Sequence, residues 1–101
     1  MKILCLLGDI MFIPVIQHAL SKNDVSFIEK HSDQDADLFV LDMDHKGSFE
    51  LCKKFPAKSI CFGSHKNAEQ IKKFRETGCK DVIARSILRK KLMNYNFTES
   101  I

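Results

Sequence analysis

The sequence predicts a single α/β domain: a doubly wound parallel sheet of five strands with helices on both faces. Three observations predict this class. The chain has 101 residues, which suits one domain, and its 45% apolar and 29% charged content is typical of globular proteins. Short apolar runs also alternate with segments of helical periodicity. These figures exclude a multi-domain enzyme, a disordered chain and a fibrous protein. We expect the domain to span residues 1–95, with 96–101 as a C-terminal tail.

The first strand and helix are predicted from the N-terminal residues. Residues 2–7 form a continuous apolar run that ends at Gly8 and Asp9, as in a strand buried on both faces. Residues 10–20 then carry apolar side chains at helical spacing. Pro14 lies near the first turn of this helix, where a missing N–H costs little.

Two further strands and a helix follow in the first half of the chain. Residues 24–29 alternate enough to form an outer strand, and residues 38–41 form a second buried strand. Ser48 is of a residue type that often caps helices, so we expect it to cap a helix over residues 49–55. Pro56 ends that helix.

The second half of the chain repeats the alternation. Residues 59–62 predict a short strand, and the apolar positions after residue 67 predict an amphipathic helix that Gly78 closes. Residues 81–84 predict the last strand, and residues 87–95 a final helix.

Charge is divided unevenly between the two halves of the chain. Residues 1–52 hold 4 basic and 9 acidic side chains, a balance of −5, whereas residues 53–91 hold 12 and 3, a balance of +9. The basic half is interpreted as a solvated helix face or as a contact face for an acidic protein. Nucleic acid is the weaker interpretation, because it rests on charge alone. The basic residues that we expect on this face are Lys66, Lys72, Lys73, Arg75, Lys80, Arg85, Arg89, Lys90 and Lys91.

The cysteines point to no metal and to no disulfide framework. Cys5, Cys52, Cys61 and Cys79 lie in apolar stretches without a CxxC pair, and no histidine stands at metal-ligand spacing, so we interpret them as small buried hydrophobic residues. No signal peptide or membrane span is apparent. We therefore expect a cytoplasmic protein without a cofactor and without contact to membranes.

The candidate functional residues follow the strands, because the carboxyl edge of a doubly wound sheet is where ligands bind. They are Gly8, Asp9, Asp42, Asp44, Gly63, Ser64, Arg85 and Ser86. Asp9, Asp42 and Asp44 offer hard oxygen ligands of the kind that Mg²⁺ prefers. The alternative is that Asp42 and Asp44 only end a strand and cap the following turn.

Two stretches make the sequence similar to a known family. The run DLFVLD at residues 37–42 and the run FRETGCKDVI at residues 74–83 resemble the receiver domains of bacterial two-component response regulators. The resemblance covers nearly the whole chain and is strongest over residues 37–42 and 69–84. It implies a flavodoxin-like three-layer sandwich with strand order 2-1-3-4-5, and it places the family's phosphoacceptor at Asp42.

Several positions depart from the family's pattern. The resemblance places the magnesium-binding acidic pair at Leu7 and Gly8, the hydroxyl residue at Gly63, the essential lysine at Arg85 and the following proline at Ser86. Asp9 stands one place too late for the acidic pair, and Ser64 is adjacent to the hydroxyl position. We expect Arg85 to be a permanent partner of Asp42 that fills the site which metal and phosphate would occupy.

These departures favour a pseudo-receiver, a non-enzymatic module that signals through protein contacts and is independent of phosphorylation. One alternative is a working receiver in which Asp9 and Asp42, with help from the Asp44 region, hold Mg²⁺ and Asp42 is phosphorylated. A second alternative is a small phosphohydrolase of the haloacid dehalogenase type, using Asp42 and Asp44. Lys46 stands where that family's motif has a hydroxyl or branched residue.

The resemblance also calls for a helix between the second and third strands, where about seven residues remain. A parallel crossover normally takes a dozen or more residues, so this helix is expected to be missing or reduced to one turn. Its absence would uncover apolar sheet surface near Val25, Phe27, Phe39 and Leu41. Exposed apolar surface often marks a contact site, so a homodimer or another protein partner is expected there.

Overall fold

Five parallel strands form one sheet in the order β2-β1-β3-β4-β5, in a computed structural model that describes residues 1–30 and 35–95. The strands are β1 (Lys2–Leu6), β2 (Asp24–Ile28), β3 (Leu38–Asp42), β4 (Ser59–Gly63) and β5 (Asp81–Ala84). The helices are α1 (Phe12–Ala19), α2 (Ser48–Lys54), α3 (Ala68–Arg75) and α4 (Leu88–Met93), with 3₁₀ turns at Pro56–Lys58 and Arg85–Ile87. The predicted doubly wound fold and its strand order are confirmed.

Each face of the sheet carries its own hydrophobic core. Alternate residues of β1, such as Ile3 and Leu4, point to opposite faces and therefore join different cores. One core lies under α1 and α4 and includes Ile16 and Leu88. The other lies under α2 and α3 and includes Leu51. All five residues of β3 and of β4 are buried, which explains their continuous apolar sequences.

The connection between β2 and β3 bears on the predicted loss of a helix. Residues 29, 30 and 35–37 contain no helix. Residues 31–34 lie outside the described residues, so the prediction of a missing or shortened helix falls partly on them. The predicted tail at 96–101 also lies outside.

The prediction that the sheet is uncovered beside this connection is wrong for two of its four residues. Phe39 and Leu41 are 1% and 0% exposed. The Phe39 ring stacks on that of Phe55, with centroids 5.1 Å apart, and Leu41 lies in the core under α2 and α3. The chain after α2 therefore covers this surface. Val25 and Phe27 are half-buried against the opposite core, under α1 and α4.

Two local predictions at helix ends also need correction. Ser48 is the first residue of α2 and not its cap: Gly47 holds the cap position, and the buried Ser48 hydroxyl has no hydrogen-bond partner among the described residues. The last helix begins at Leu88, after a 3₁₀ turn, and not at residue 87. Among the described residues, no helix is long and apolar enough to cross a bilayer.

Candidate functional site

Asp42 is the centre of the carboxyl edge of the sheet. It ends β3 opposite Phe62 of β4, and it is 0% exposed. The backbone N–H of Gly8 donates to Oδ2 at 2.9 Å, and the backbone N–H of Asp44 donates to Oδ1 at 3.0 Å. Because both carboxylate oxygens accept a backbone hydrogen bond, the group is held in one orientation.

The loop after β1 approaches Asp42 through its backbone. A Cβ atom added at Gly8 would lie 3.3 Å from Asp42 Oδ2, so this close approach suits glycine. Asp9 is exposed, and its Oδ1 accepts the N–H of Met11 at 2.9 Å. The carboxylate of Asp9 therefore supports its own loop ahead of α1.

Arg85 bonds most closely to Asp44. Its Nη2 donates to Asp44 Oδ2 at 2.7 Å and lies 3.7 Å from Asp42 Oδ1. The expected ion pair with Asp42 is therefore present, but it is the longer of the two contacts, and the hydrogen bond of the guanidinium goes to Asp44. The bond from Arg85 lowers the pKa of the Asp44 carboxyl below its usual value.

Two side chains that sequence reasoning missed hold the Asp44 and Arg85 pair in place. Gln70 of α3 donates through Nε2 to Asp44 Oδ1 at 3.3 Å and to the Met43 carbonyl at 2.9 Å. The Arg85 guanidinium lies over the Phe12 ring, with Cζ 5.5 Å from its centroid. Arg85 Nε is buried without a hydrogen-bond partner among the described residues.

Met43 fills the space beside Gly63, and sequence reasoning missed this contact as well. A Cβ atom at Gly63 would lie 2.8 Å from Met43 Cε, closer than such atoms approach in proteins. Met43 is 4% exposed, and its N–H bonds to the Phe62 carbonyl at 2.8 Å. The thioether end of the Met43 side chain therefore occupies the space that a Cβ atom at position 63 would need. One signal in the sequence could have revealed this contact. It is an apolar residue directly after the aspartate that ends β3, together with a glycine at the end of β4.

The two serines of the predicted site are placed differently. Ser64 Oγ accepts the N–H of Lys66 at 3.2 Å, a contact within its own loop. Ser86 is exposed in the 3₁₀ turn that follows β5.

The donor set at this edge does not fit Mg²⁺. That ion demands near-ideal octahedral oxygen coordination at about 2.0–2.1 Å. Here the Asp42 oxygens accept backbone N–H groups, and a guanidinium binds Asp44 Oδ2 at 2.7 Å. A fixed positive charge 3.7 Å from Asp42 Oδ1 would also repel the cation.

Comparisons with known proteins identify the fold. No family model matches the chain, and no curated protein sequence does. The BeF3-activated receiver domain of DrrB, a Thermotoga maritima protein, superposes with a TM-score of 0.77 at 16% identity, over 91% of this chain and 90% of that one. A putative response regulator from Chloroflexus aurantiacus gives a TM-score of 0.74 at 14% identity, over 90% and 89% of the two chains. The phosphorylated cyanobacterial phytochrome response regulator RcpA gives 0.71 at 17% identity, over 91% and 85%. The chain therefore has the fold of response-regulator receiver domains.

Proposed function

We propose that this chain is a receiver-like module of signal transduction that acts through protein contacts and does not require phosphorylation of Asp42. The observation that carries the proposal is the closed carboxylate. Asp42 is 0% exposed, and its two oxygens accept the N–H groups of Gly8 and Asp44.

The chemistry of phosphoryl transfer explains why this arrangement matters. Transfer to a carboxylate depends on positioning the donor and on neutralising charge on the phosphoryl oxygens, mainly with Mg²⁺. Asp42 is 0% exposed, so its carboxylate would first have to become accessible to a phosphoryl donor. Arg85 brings positive charge to this edge, but its bond to Asp44 at 2.7 Å directs that charge to a neighbouring carboxylate. A hydroxyl side chain at position 63 would require the end of the Met43 side chain to move away.

Incubation with acetyl phosphate and Mg²⁺, followed by intact-mass measurement, tests this proposal. We expect the mass of the chain to stay unchanged. Asp42→Asn is the matched variant, because it replaces only the candidate acceptor. A phosphoryl adduct on the wild-type chain that is absent from Asp42→Asn would overturn the proposal.

A working receiver is the second candidate, with Asp42 as phosphoacceptor and Asp9 and Asp42 as ligands for Mg²⁺. The observation that favours it is the place of Asp42 at the carboxyl end of the central strand β3. Two of the similar solved structures also show their proteins in a BeF3-activated and a phosphorylated state. The acetyl phosphate experiment separates the two candidates directly.

A phosphohydrolase is less well supported than either receiver function. Such an enzyme would need Asp44 as a second free carboxylate beside Asp42, whereas Asp44 is bonded to Arg85 and Gln70. We therefore propose no enzymatic activity. Measurable turnover of p-nitrophenyl phosphate, absent from Asp42→Asn and Asp44→Asn, would contradict this.

A protein partner is proposed because the chain presents two accessible contact surfaces. Ile10 and Met11, in the loop after β1, are 77% and 75% exposed and lie at the same edge as Asp42. The helices α3 and α4 present exposed lysine and arginine side chains that suit an acidic partner. We expect such contacts to be made in the cytoplasm, where the free cysteines stay reduced.

A second copy of the chain is the other partner that we consider. The apolar sheet surface that motivated it is smaller than expected, because Phe39 and Leu41 are buried. Sedimentation at micromolar concentration tests self-association. If the chain sediments only as a monomer, the homodimer is excluded and the partner must be a different protein.

A further inference from the structure

Three cysteines that are far apart in the sequence come together between α2, β4 and the loop before β5. Cys52 lies in α2, Cys61 in the middle of β4, and Cys79 in the loop after α3. The Sγ atoms all lie within 4.8 Å of one another, and those of Cys52 and Cys61 are 3.6 Å apart. The interpretation of these cysteines as isolated hydrophobic residues therefore missed their grouping. Sequence spacing hides it because the fold, and not a CxxC pair, brings them together.

The hydrogen bonds of the cluster link sulfur to sulfur. The Thr77 hydroxyl donates to the Phe74 carbonyl at 2.6 Å, so the Cys52 thiol is the donor in its 3.1 Å contact with Thr77 Oγ1. The Cys61 thiol in turn donates to Cys52 Sγ. This bond lowers the pKa of the Cys52 thiol and raises that of Cys61. Cys52 is therefore the sulfur that most readily becomes a thiolate.

The burial of the cluster leaves one side accessible. Cys52 and Cys61 are both 0% exposed in the core under α2 and α3, whereas Cys79 is partly exposed. Apolar neighbours such as Leu51 and Phe74 surround the buried sulfurs. Cys79 is therefore the side from which an ion would enter the cluster, and the apolar walls would keep competing water away from it.

We propose that Cys52, Cys61 and Cys79 form a three-thiolate site for one soft metal ion of the Cu(I) type. Thiolate sulfur selects soft ions such as Cu(I). With a metal–sulfur bond of about 2.3 Å, as in zinc thiolates, three sulfurs around one ion lie roughly 4.0 Å apart. The observed separations, from 3.6 Å to at most 4.8 Å, bracket that value, so small side-chain rotations suffice.

The choice of Cu(I) over Zn²⁺ follows from the number of ligands. Structural zinc sites are almost always tetrahedral, with four protein ligands. In the part of the chain that the structure describes, no histidine or carboxylate joins the three sulfurs. A planar three-sulfur set suits Cu(I), which needs no fourth protein ligand. Binding replaces three S–H protons by one ion, so three protons are released and no oxidant is needed when copper enters as Cu(I).

Titration of the reduced chain with Cu(I), without oxygen and against a chromogenic Cu(I) chelator, tests the site. We expect one copper per chain and an affinity that rises with pH, because the thiols must lose their protons. X-ray absorption at the copper edge should find only sulfur neighbours. Cys79→Ala should weaken retention of copper by at least about 100-fold, since even outer-shell partners of a metal contribute 10–100-fold to affinity. Cys5→Ala is the matched control, because Cys5 lies in the opposite core.

A second measurement on the wild-type chain does not depend on how the variants fold. Cu(I) should protect the partly exposed Cys79 from alkylation by iodoacetamide, as located by peptide mass spectrometry. Copper removed completely by the chelator, copper bound equally by Cys79→Ala, or an unchanged alkylation rate at Cys79 would each overturn the proposal. Nitrogen or oxygen neighbours in place of the three sulfurs would overturn it as well.

Discussion

At the scale of single residues, Asp42 lies at the end of β3 where a phosphoacceptor would lie, but both of its carboxylate oxygens are bonded to the backbone. Its two oxygens receive backbone N–H groups from the loop after β1 and from the turn after β3. Hydrogen bonds from N–H groups to a carboxylate are stronger than those between neutral groups, so the buried charge is tolerated. The nearby Arg85 donates its hydrogen bond to Asp44 and makes a longer ion pair with Asp42.

The ion pair of Asp44 and Arg85 should make part of the free energy of unfolding depend on pH in the acidic range. The pKa of Asp44 is lower in the folded chain, so its stabilisation is present above the ordinary pKa of aspartate and is lost as the pH falls through the folded value. We expect Arg85→Gln to remove about 0.5–1 kcal/mol at pH 7, a small amount because the pair is partly exposed, and to remove less at pH 3. Urea unfolding at both pH values measures this.

Arg89→Gln is the control for that measurement, because it removes a positive charge from the exposed face of α4. This variant should leave the pH dependence of the free energy of unfolding below about pH 4 as it is in the wild-type chain, since Asp44 titrates there. An Arg85→Gln variant with the same acid dependence as the wild-type chain would contradict the role given to the pair.

The contact of Met43 with Gly63 predicts an energetic coupling between two positions. Gly63→Ala should destabilise the fold by about 1–2 kcal/mol, because the new Cβ would overlap Met43 Cε. In a Met43→Ala background the same change should cost about 1 kcal/mol less. Denaturant unfolding of the single and double variants gives the coupling. Additive effects would mean that Met43 does not fill this space.

At the scale of elements, the strands could be predicted because strands buried on both faces consist mostly of apolar residues. Residues 38–41 and 60–62 are apolar throughout, since both faces of β3 and β4 are covered. The start of α2 was not predictable from Ser48, because the cap depends on how the preceding turn enters the helix. The cover over Phe39 comes from Phe55, a contact between distant segments that no local pattern contains.

A side-chain hydrogen bond links the end of α4 to the sheet. Tyr95, which follows α4, donates its hydroxyl to Asp81 Oδ2 at 2.7 Å. Tyr95→Phe should therefore cost about 1.5–3 kcal/mol, the range for a hydrogen bond to a charged group. Thermal unfolding checks this.

Asp81→Asn gives the complementary change, because it weakens the same bond from the other side. A double variant no less stable than either single variant is the expected result. If Tyr95→Phe is as stable as the wild-type chain, the hydroxyl contributes nothing to holding α4.

At the scale of the whole molecule, the division of charge in the sequence corresponds to different parts of the fold. The acidic half supplies Asp9, Asp42 and Asp44 at the carboxyl edge, and the basic half supplies α3 and α4. The sheet, its order and the edge that collects the candidate residues were predictable from the alternation of elements and from resemblance. The state of the site was not, because it depends on Gln70, Phe12 and Met43, which no spacing rule connects to Asp42.

Beryllofluoride with Mg²⁺, added to the isotope-labelled chain and followed by amide NMR, tests the closed site most directly. It mimics a phosphoryl group bound to a carboxylate, so an accessible Asp42 with a competent metal shell would respond. We predict that the amide signals of Gly8, Asp44 and Gly63 stay where they are. Shifts at these amides that saturate with beryllofluoride and are absent from Asp42→Asn would contradict the closed site.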